Sequence, residues 1–421
     1  MLKAVPRYHL QNVKFAQFKS VFKEQAVQLA PFTVLIGRNG SGKSTFIEAL
    51  QWMDAALRKD ANAACDPYRG MRDLVNKRSV RRKFFIALNW TLDSEERYES
   101  VAPPQPPELI GYSIEVEAVA HQAVISREQL RTEAASVKKL WVTTHGVPAK
   151  LHKPSGEGTS PKHERTLYPE EDGRRAMFLS PDRLALPLGP IDTDDELPGN
   201  PFPVVRRFFR DAVFLRLSPK DLSSPARMTR SSQESILDEE GARLPVLLAE
   251  LNAEQLAEVV EQLKQVLPDV RGIGLSDSGK LDLPIHYHAT EEIPASSKSG
   301  VRQVRIPAWM LSEGTRRLTA LFALLARDPP LSLLCIEEIE NGLDPWTLIV
   351  VLNALRAAVA RGVQIIVTTH SPWLLDHLAL DEIIRVRRQD GETHYERFAD
   401  DAEVKKFRDG VPPGVRYVRG G

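Results

Sequence analysis

Gly37-Arg38-Asn39-Gly40-Ser41-Gly42-Lys43-Ser44 is the stretch whose reading decides the fold. A glycine, four residues and then Gly-Lys-Ser is the spacing of a phosphate-binding P-loop. Its flanks agree. Phe32-Thr33-Val34-Leu35-Ile36 before it is short, apolar and β-rich, as a buried strand is. Thr45-Phe46-Ile47-Glu48-Ala49-Leu50 after it opens a helix expected to run to about Lys59, with Phe46, Ile47, Leu50, Met53 and Leu57 on one side. Strand, glycine-rich turn and helix curl backbone N–H groups around an anion and add the positive end of the helix. Lys43 can reach the β/γ-phosphates of a nucleotide, and the Ser44 hydroxyl can ligate Mg²⁺.

Working outward, residues 8 to 30 alternate loosely and predict two strands, with Phe15, Phe18 and Lys19 as alternatives for touching a nucleotide base or for ordinary strand packing. Downstream, Phe84 to Trp90, Tyr112 to Ala118 and Leu140 to Thr144 read as antiparallel strands added at the edge of the nucleotide core, with Glu128 to Ala134 a short polar connection or helix. Residues 152–175 are polar and rich in Lys, Pro, Gly and Glu, the pattern of a mobile loop. A second segment starts near Pro201. It holds a basic amphipathic helix from Val204, two leucine-bearing helices between Leu244 and Leu267, and strands near 270–275, 283–289 and 301–306. The expected division is 1–200, 201–330 and 331–421.

Composition narrows the class. Lys+Arg and Asp+Glu both number 56, so no overall basic field advertises nucleic acid, although Lys77-Arg78 with Arg81-Arg82-Lys83 is locally basic. The two cysteines, Cys65 and Cys335, have neither metal-ligand nor disulfide spacing. No signal-peptide pattern and no membrane-length apolar run is present, so a cytoplasmic protein is expected.

The C-terminal third adds what a lone P-loop lacks. Leu331-Ser332-Leu333-Leu334-Cys335-Ile336 is an apolar strand that delivers Glu337-Glu338 to its C-terminal end, where ligands sit in open α/β sheets. One carboxylate can hold Mg²⁺ and the next can orient or deprotonate a water. Upstream, Ser312-Glu313-Gly314-Thr315 opens a helix and is read either as an anion site or as a plain cap. Downstream, Val363 to Thr369 is a strand ending in His370, which can reach a γ-phosphate.

These residues carry a resemblance. Ser312-Glu313-Gly314-Thr315 resembles the signature motif of ABC-type ATPases, Asn341-Gly342-Leu343-Asp344-Pro345 their D-loop, and His370 their switch histidine. The spacing agrees, with 25 residues from Ser312 to Glu337, 32 from Glu338 to His370, and 294 from Lys43 to Glu337. The long gap suits the SMC/RecF branch, and the chain most resembles compact AAA-family ATPases of the RecF and OLD type. Glu337 stands where that family usually has Asp, and no Q-loop glutamine is identifiable, the turn Ser180-Pro181-Asp182-Arg183 being placed there instead.

The resemblance implies an α/β P-loop NTPase head of ABC/SMC type. Its central sheet is mostly parallel with flanking helices, beside an antiparallel β subdomain and a helical lobe carrying the signature. It implies ATP and Mg²⁺ as cofactors. Gly37, Arg38, Asn39, Gly40, Ser41, Gly42, Lys43, Ser44, Ser312, Glu313, Gly314 and Asp344 would then bind nucleotide, Ser44 and Glu337 the metal, and Glu338 and His370 would be catalytic. It implies a homodimer or higher oligomer whose heads sandwich ATP. The Toprim nuclease of full OLD proteins is not expected here, and a separate effector, a nuclease or toxin, is expected instead. DNA is a possible partner and a membrane is not. Antiphage defence, RecF-like DNA repair and, last, a transporter subunit are the biological alternatives.

Overall fold

The computed structural model describes residues 7–92, 107–134, 137–144, 163–170, 173–188, 200–228, 235–276, 283–295, 301–407 and 410–420. The chain forms two compact units, one of Met1–Phe209 with Pro372–Gly421 and one of Arg210–Ser371.

The first unit begins with β1 (Tyr8–Ala16), β2 (Gln25–Gln28) and β3 (Phe32–Ile36), then the P-loop helix Lys43–Arg58. It continues with β4 (Lys83–Leu92), β5 (Leu109–Val119), β6 (Gln122–Ala134), β7 (Val137–Thr144), β8 (His163–Glu170) and β9 (Gly173–Leu179). Eight of these strands form an antiparallel sheet in the order β2-β1-β4-β5-β6-β7-β8-β9. Alternation builds it: in β5, Tyr112, Ile114 and Val116 are buried while Ser113, Glu115 and Glu117 are half-buried. Every residue of β3 is buried, which is why its sequence is a continuous apolar run rather than an alternating one.

The second unit supplies β10 (Ala212–Leu215), β11 (Val270–Ser276), β12 (His286–Pro294), β13 (Val301–Pro307), β14 (Leu333–Ile336) and β15 (Gln364–Thr369). β14 lies between β10 and β15, all parallel, with Leu215 and Val367 both opposite Ile336. β11, β12 and β13 make a separate antiparallel sheet. Its helices include Ala253–Lys264, opened by a capping box between Asn252 and Gln255. The helix Glu313–Leu325 buries an unbroken run from Leu318 to Leu325, so it is enclosed nearly all round. The helix Pro345–Ala360 starts with proline in its first turn behind the Asp344 cap.

The chain then returns to the first unit with β16 (Ile383–Gln389) and β17 (Glu392–Arg397). β16 runs parallel to β3, and β17 pairs with β16 antiparallel. The P-loop helix packs on the strands through aromatic rings. Phe46 meets Phe15 and Tyr395, each at 5.9 Å, and Trp52 meets Phe84 at 4.9 Å. Burying each such ring contributes roughly 1.5–3 kcal/mol. Mostly parallel core strands with flanking helices and an antiparallel sheet are as expected.

Two expectations need correction. Glu128 to Ala134 is neither connection nor helix but the second half of β6. Glu128 is fully buried, and its carboxylate accepts the Tyr112 hydroxyl at 2.8 Å and the amides of Ala185 and Leu186 at 2.8 and 3.1 Å. A strand can carry an inward acid when the acid is fully hydrogen-bonded, and the polar pattern hid this. In the span 152–175, residues 163–170 and 173–175 are strand, because backbone pairing to β7 needs no apolar alternation, while 152–162, 171 and 172 lie outside the described residues. The signature helix and β14 fall in the same compact unit, Arg210–Ser371. Among the described residues no helix is long and apolar enough to cross a membrane.

Candidate functional site

The first unit holds the phosphate cradle. Gly37 follows β3 so closely under β16 that a Cβ there would lie 2.3 Å from the Val386 carbonyl oxygen and 2.6 Å from Ser41 Oγ. Only glycine fits. The loop tip, Arg38, Asn39 and Gly40, is exposed, whereas Ser41 and Lys43 are buried and Ser44 is half-buried. The Lys43 ammonium folds back along the loop and donates to the carbonyls of Gly37 at 2.7 Å and Arg38 at 3.3 Å. No carboxylate occupies the first turn of the Lys43–Arg58 helix, so no acid of that turn competes with an anion at the positive helix end. Ser41 Oγ is buried without a hydrogen-bond partner. A buried hydroxyl is costly unless paired, and a phosphate oxygen is the partner this loop is shaped to bring.

The cradle is braced from far along the chain. Thr393 on β17 donates to the Ser41 carbonyl at 3.0 Å and its hydroxyl lies within hydrogen-bond distance of Ser20 Oγ at 2.9 Å, and the Tyr395 hydroxyl donates to the Gly42 carbonyl at 2.6 Å. Ser20 in turn bonds Thr45 of the P-loop helix at 3.1 Å. None of these braces was visible in the sequence. Phe15 and Phe18 prove to be fully buried core rings, which settles the alternatives for them as packing: Phe15 lies against Phe46 and Tyr395, and Phe18, past the end of β1, against Phe84. Lys19 is tied to Glu48 at 2.6 Å and lies over the Tyr68 ring. In the turn placed at the Q-loop, Asp182 accepts the Asn62 side-chain amide at 2.9 Å. At the far end of the P-loop helix, burial pushes the Asp54 carboxyl up to about 6, against the pull of Arg58 at 2.8 Å.

The second unit gathers the other motif residues. Glu337 and Glu338 leave the end of β14, and His370 follows the end of the neighbouring β15. Glu337 is buried, and its amide donates to the Leu215 carbonyl at 2.8 Å. Glu338 sits in the left-handed region at φ 50°, a conformation costing roughly 1–3 kcal/mol that its surroundings must impose. Its amide donates to Thr368 Oγ1 at 2.9 Å, and Asn341 donates to its carboxylate. The other carboxylate oxygen faces His370 Nε2 at 3.8 Å.

The signature helix meets the D-loop here. Ser312 caps the helix by accepting the Thr315 amide at 3.0 Å, and Glu313 bonds Arg317 at 2.9 Å. A Cβ on Gly314 would come within 2.8 Å of the Gly342 carbonyl oxygen, so a side chain there would part the signature from the D-loop turn. Asp344 is occupied as a cap. It accepts the Trp346 and Thr347 amides at 3.0 and 3.1 Å, and the Thr347 hydroxyl above all holds its carboxyl below the usual carboxylate range. Glu340 was given no role from the sequence, and Asn341 was read only as the start of the D-loop-like stretch.

Ser44 and Glu337 each carry a hard oxygen donor of the kind Mg²⁺ takes.

Comparison with known proteins bears on the fold and on the family likeness. The family described as "AAA domain, putative AbiEii toxin, Type IV TA system" matches residues 32–107 and 269–376. No curated protein matches the chain. Among solved structures, an SMC head bound to the C-winged helix domain of ScpA is 14% identical, with a TM-score of 0.50, over 92% of this chain and 97% of that one. An SMC head with an extended coiled coil bound to the C-terminal domain of ScpA, from Pyrococcus furiosus, is 12% identical with a TM-score of 0.49, over 92% and 96%. The SMC head domain from Thermotoga maritima is 15% identical with a TM-score of 0.44, over 92% and 98%. At these identities the likeness shows the fold alone, and the first of the three carries it.

Proposed function

We propose that this chain, a P-loop NTPase of the ABC/SMC-like AAA type, hydrolyses ATP and pairs head to tail with a second copy when ATP is bound. The observation that carries the reading is Glu338 facing His370 at 3.8 Å at the ends of two neighbouring parallel strands. A carboxylate and an imidazole held together by such strand ends are suited to orienting a water and contacting a phosphate.

In the proposed mechanism the Gly37–Ser44 backbone and Lys43 grip the phosphates of ATP. Ser312, Glu313 and Gly314 of the second copy, with Asp344 supporting their D-loop turn, close on the same ATP. Glu338 orients the attacking water and takes its proton, while His370 contacts the γ-phosphate. Ser44 and Glu337 would hold Mg²⁺, which when bound neutralises charge on the phosphates. Hydrolysis then releases the pair, so ATP acts as a reversible link between heads. Glu338→Gln keeps the shape and removes the base. It is expected to lower kcat about 10²- to 10⁴-fold and to accumulate an ATP-bound pair in size-exclusion chromatography. Wild-type turnover by Glu338→Gln contradicts the assignment.

The pair is proposed to act in the cytoplasm as sensor or scaffold for a separate effector, a nuclease or toxin, in antiphage defence. The description of the matching family supports this reading, and a nuclease or toxin gene next to this one tests it. A second reading, a RecF-like ATPase on duplex DNA, is favoured by one observation. Arg72, Arg81 and Arg82 are exposed and, among the described residues, make no ion pair. ATP hydrolysis stimulated by duplex DNA, with binding that weakens steeply as salt rises, would select it.

A further inference from the structure

Glu337 and Glu338 have parts in the proposed chemistry, whereas Glu340, the third acid of the same run, has none. We infer that Glu340 is a positioning residue that fixes His370 against Glu338, an inference that rests on the ATP-hydrolysis reading. Both of its carboxylate oxygens are spent on the end of β15. Oε1 accepts the His370 amide at 2.6 Å, and Oε2 accepts the Thr369 hydroxyl at 2.9 Å. The Thr369 hydroxyl accepts the Ser371 amide at 3.0 Å, which extends the hold one residue past the histidine.

The place of this carboxylate gives it its role. Pairing of β14 with β15 runs from Leu333↔Gln364 to Ile336↔Val367 and ends there. Thr368, Thr369 and His370 leave the ladder, and the turn after β14 takes over from it. The Glu338 amide bonds Thr368 Oγ1, the Ile339 amide bonds the Thr368 carbonyl at 3.1 Å, and Glu340 takes Thr369 and His370. An ionised acceptor makes stronger hydrogen bonds than a neutral one, so the histidine hangs on the stiffest link of the three. The turn closes on itself as well, with the Asn341 amide on the Glu338 carbonyl at 2.9 Å and the Leu343 amide on the Glu340 carbonyl at 3.1 Å. One rigid turn therefore holds both members of the Glu338–His370 pair, one by its backbone and the other by the Glu340 side chain. The ring-to-carboxylate distance of 3.8 Å changes with any slip of residues 368–371.

The test is a double-mutant cycle in the full chain, read by steady-state ATP hydrolysis and by the NMR signal of the His370 ring, identified with His370→Ala. Glu340→Ala is expected to lower kcat about 10- to 100-fold with KM changed less than about two-fold, because misplacement rather than lost binding is the defect. Glu340→Gln retains an acceptor for the His370 amide and is expected within about three-fold of wild type. In a His370→Ala background, Glu340→Ala is expected to change kcat less than about two-fold. The His370 ring signal is expected to move in Glu340→Ala without nucleotide. Where Glu340→Ala does not fold, Glu340→Asp, one methylene shorter, carries the same cycle. An equal loss in both backgrounds, a raised KM at unchanged kcat, or an unmoved ring signal overturns the inference. If wild type binds ATP but does not hydrolyse it, the ATPase reading fails, and the ring signal alone decides for or against Glu340.

Discussion

The P-loop of the first unit and the Glu338–His370 cluster of the second solve the same problem, holding chemistry in place, by opposite means. The P-loop offers mostly backbone, so its precision is imported: Ser20 reaches it from the turn after β1, and Thr393 and Tyr395 from β17, about 350 residues away. The cluster offers side chains, and it is braced from within by one turn, residues 338–343, and the strand end beside it. On the proposed function, nucleotide affinity and catalytic rate are tuned by different residues. Changes at the remote braces should move affinity, and changes within the turn should move kcat.

The strongest way to break that division is Lys43→Ala. It is expected to weaken ATP binding about 100-fold or more, the loss of a charge-assisted contact to phosphate, measured by titration of a fluorescent nucleotide. Retained affinity would remove Lys43 from the phosphate site. Next in size is a pH effect confined to the P-loop helix. Burial holds the Asp54 carboxyl at about 6 when folded against 3.8 when unfolded, so the folded state binds the proton more tightly. Stability is therefore expected to fall as pH rises from about 4 to about 6, by on the order of 3 kcal/mol, and then to level off. Asp54→Asn should flatten that slope in urea titrations while leaving the chemistry of Glu338 alone. The smallest and sharpest comparison pairs two isosteric changes. Thr393→Val removes the donor to the Ser41 carbonyl and should weaken ATP binding by up to about ten-fold at unchanged kcat, whereas Thr369→Val should lower kcat at unchanged affinity. The reverse pattern would abolish the distinction between the two regions.

The same contrast explains what the sequence disclosed. Contiguous motifs were legible because local chemistry forces them: Gly37 cannot carry a side chain beneath Val386, and an apolar strand such as Leu333–Ile336 must end before it can present two acids. The braces were not legible, since nothing in a lone threonine at 393 says that the chain returns to the loop at 41. Glu340 lay in plain view, but its meaning depends on which strand lies beside β14, and that is a fact of topology. Glu128 was misread because a satisfied buried acid and a solvated one look alike in a string of letters. The signature serine caps its helix, its hydroxyl accepting the Thr315 amide.

That serine supplies the most direct test of the central claim, that each ATP is gripped by Lys43 of one copy and Ser312 of another. Lys43→Ala and Ser312→Ala copies, each inactive alone, are mixed in equal amounts and assayed for ATP hydrolysis. The mixed pair contains one site with both native residues, so activity should return to about a quarter of the wild-type rate per chain, half the pairs being mixed and each having one of its two sites intact. If the mixture stays as inactive as its components, the two residues do not meet across a pair of heads, and the composite site is wrong.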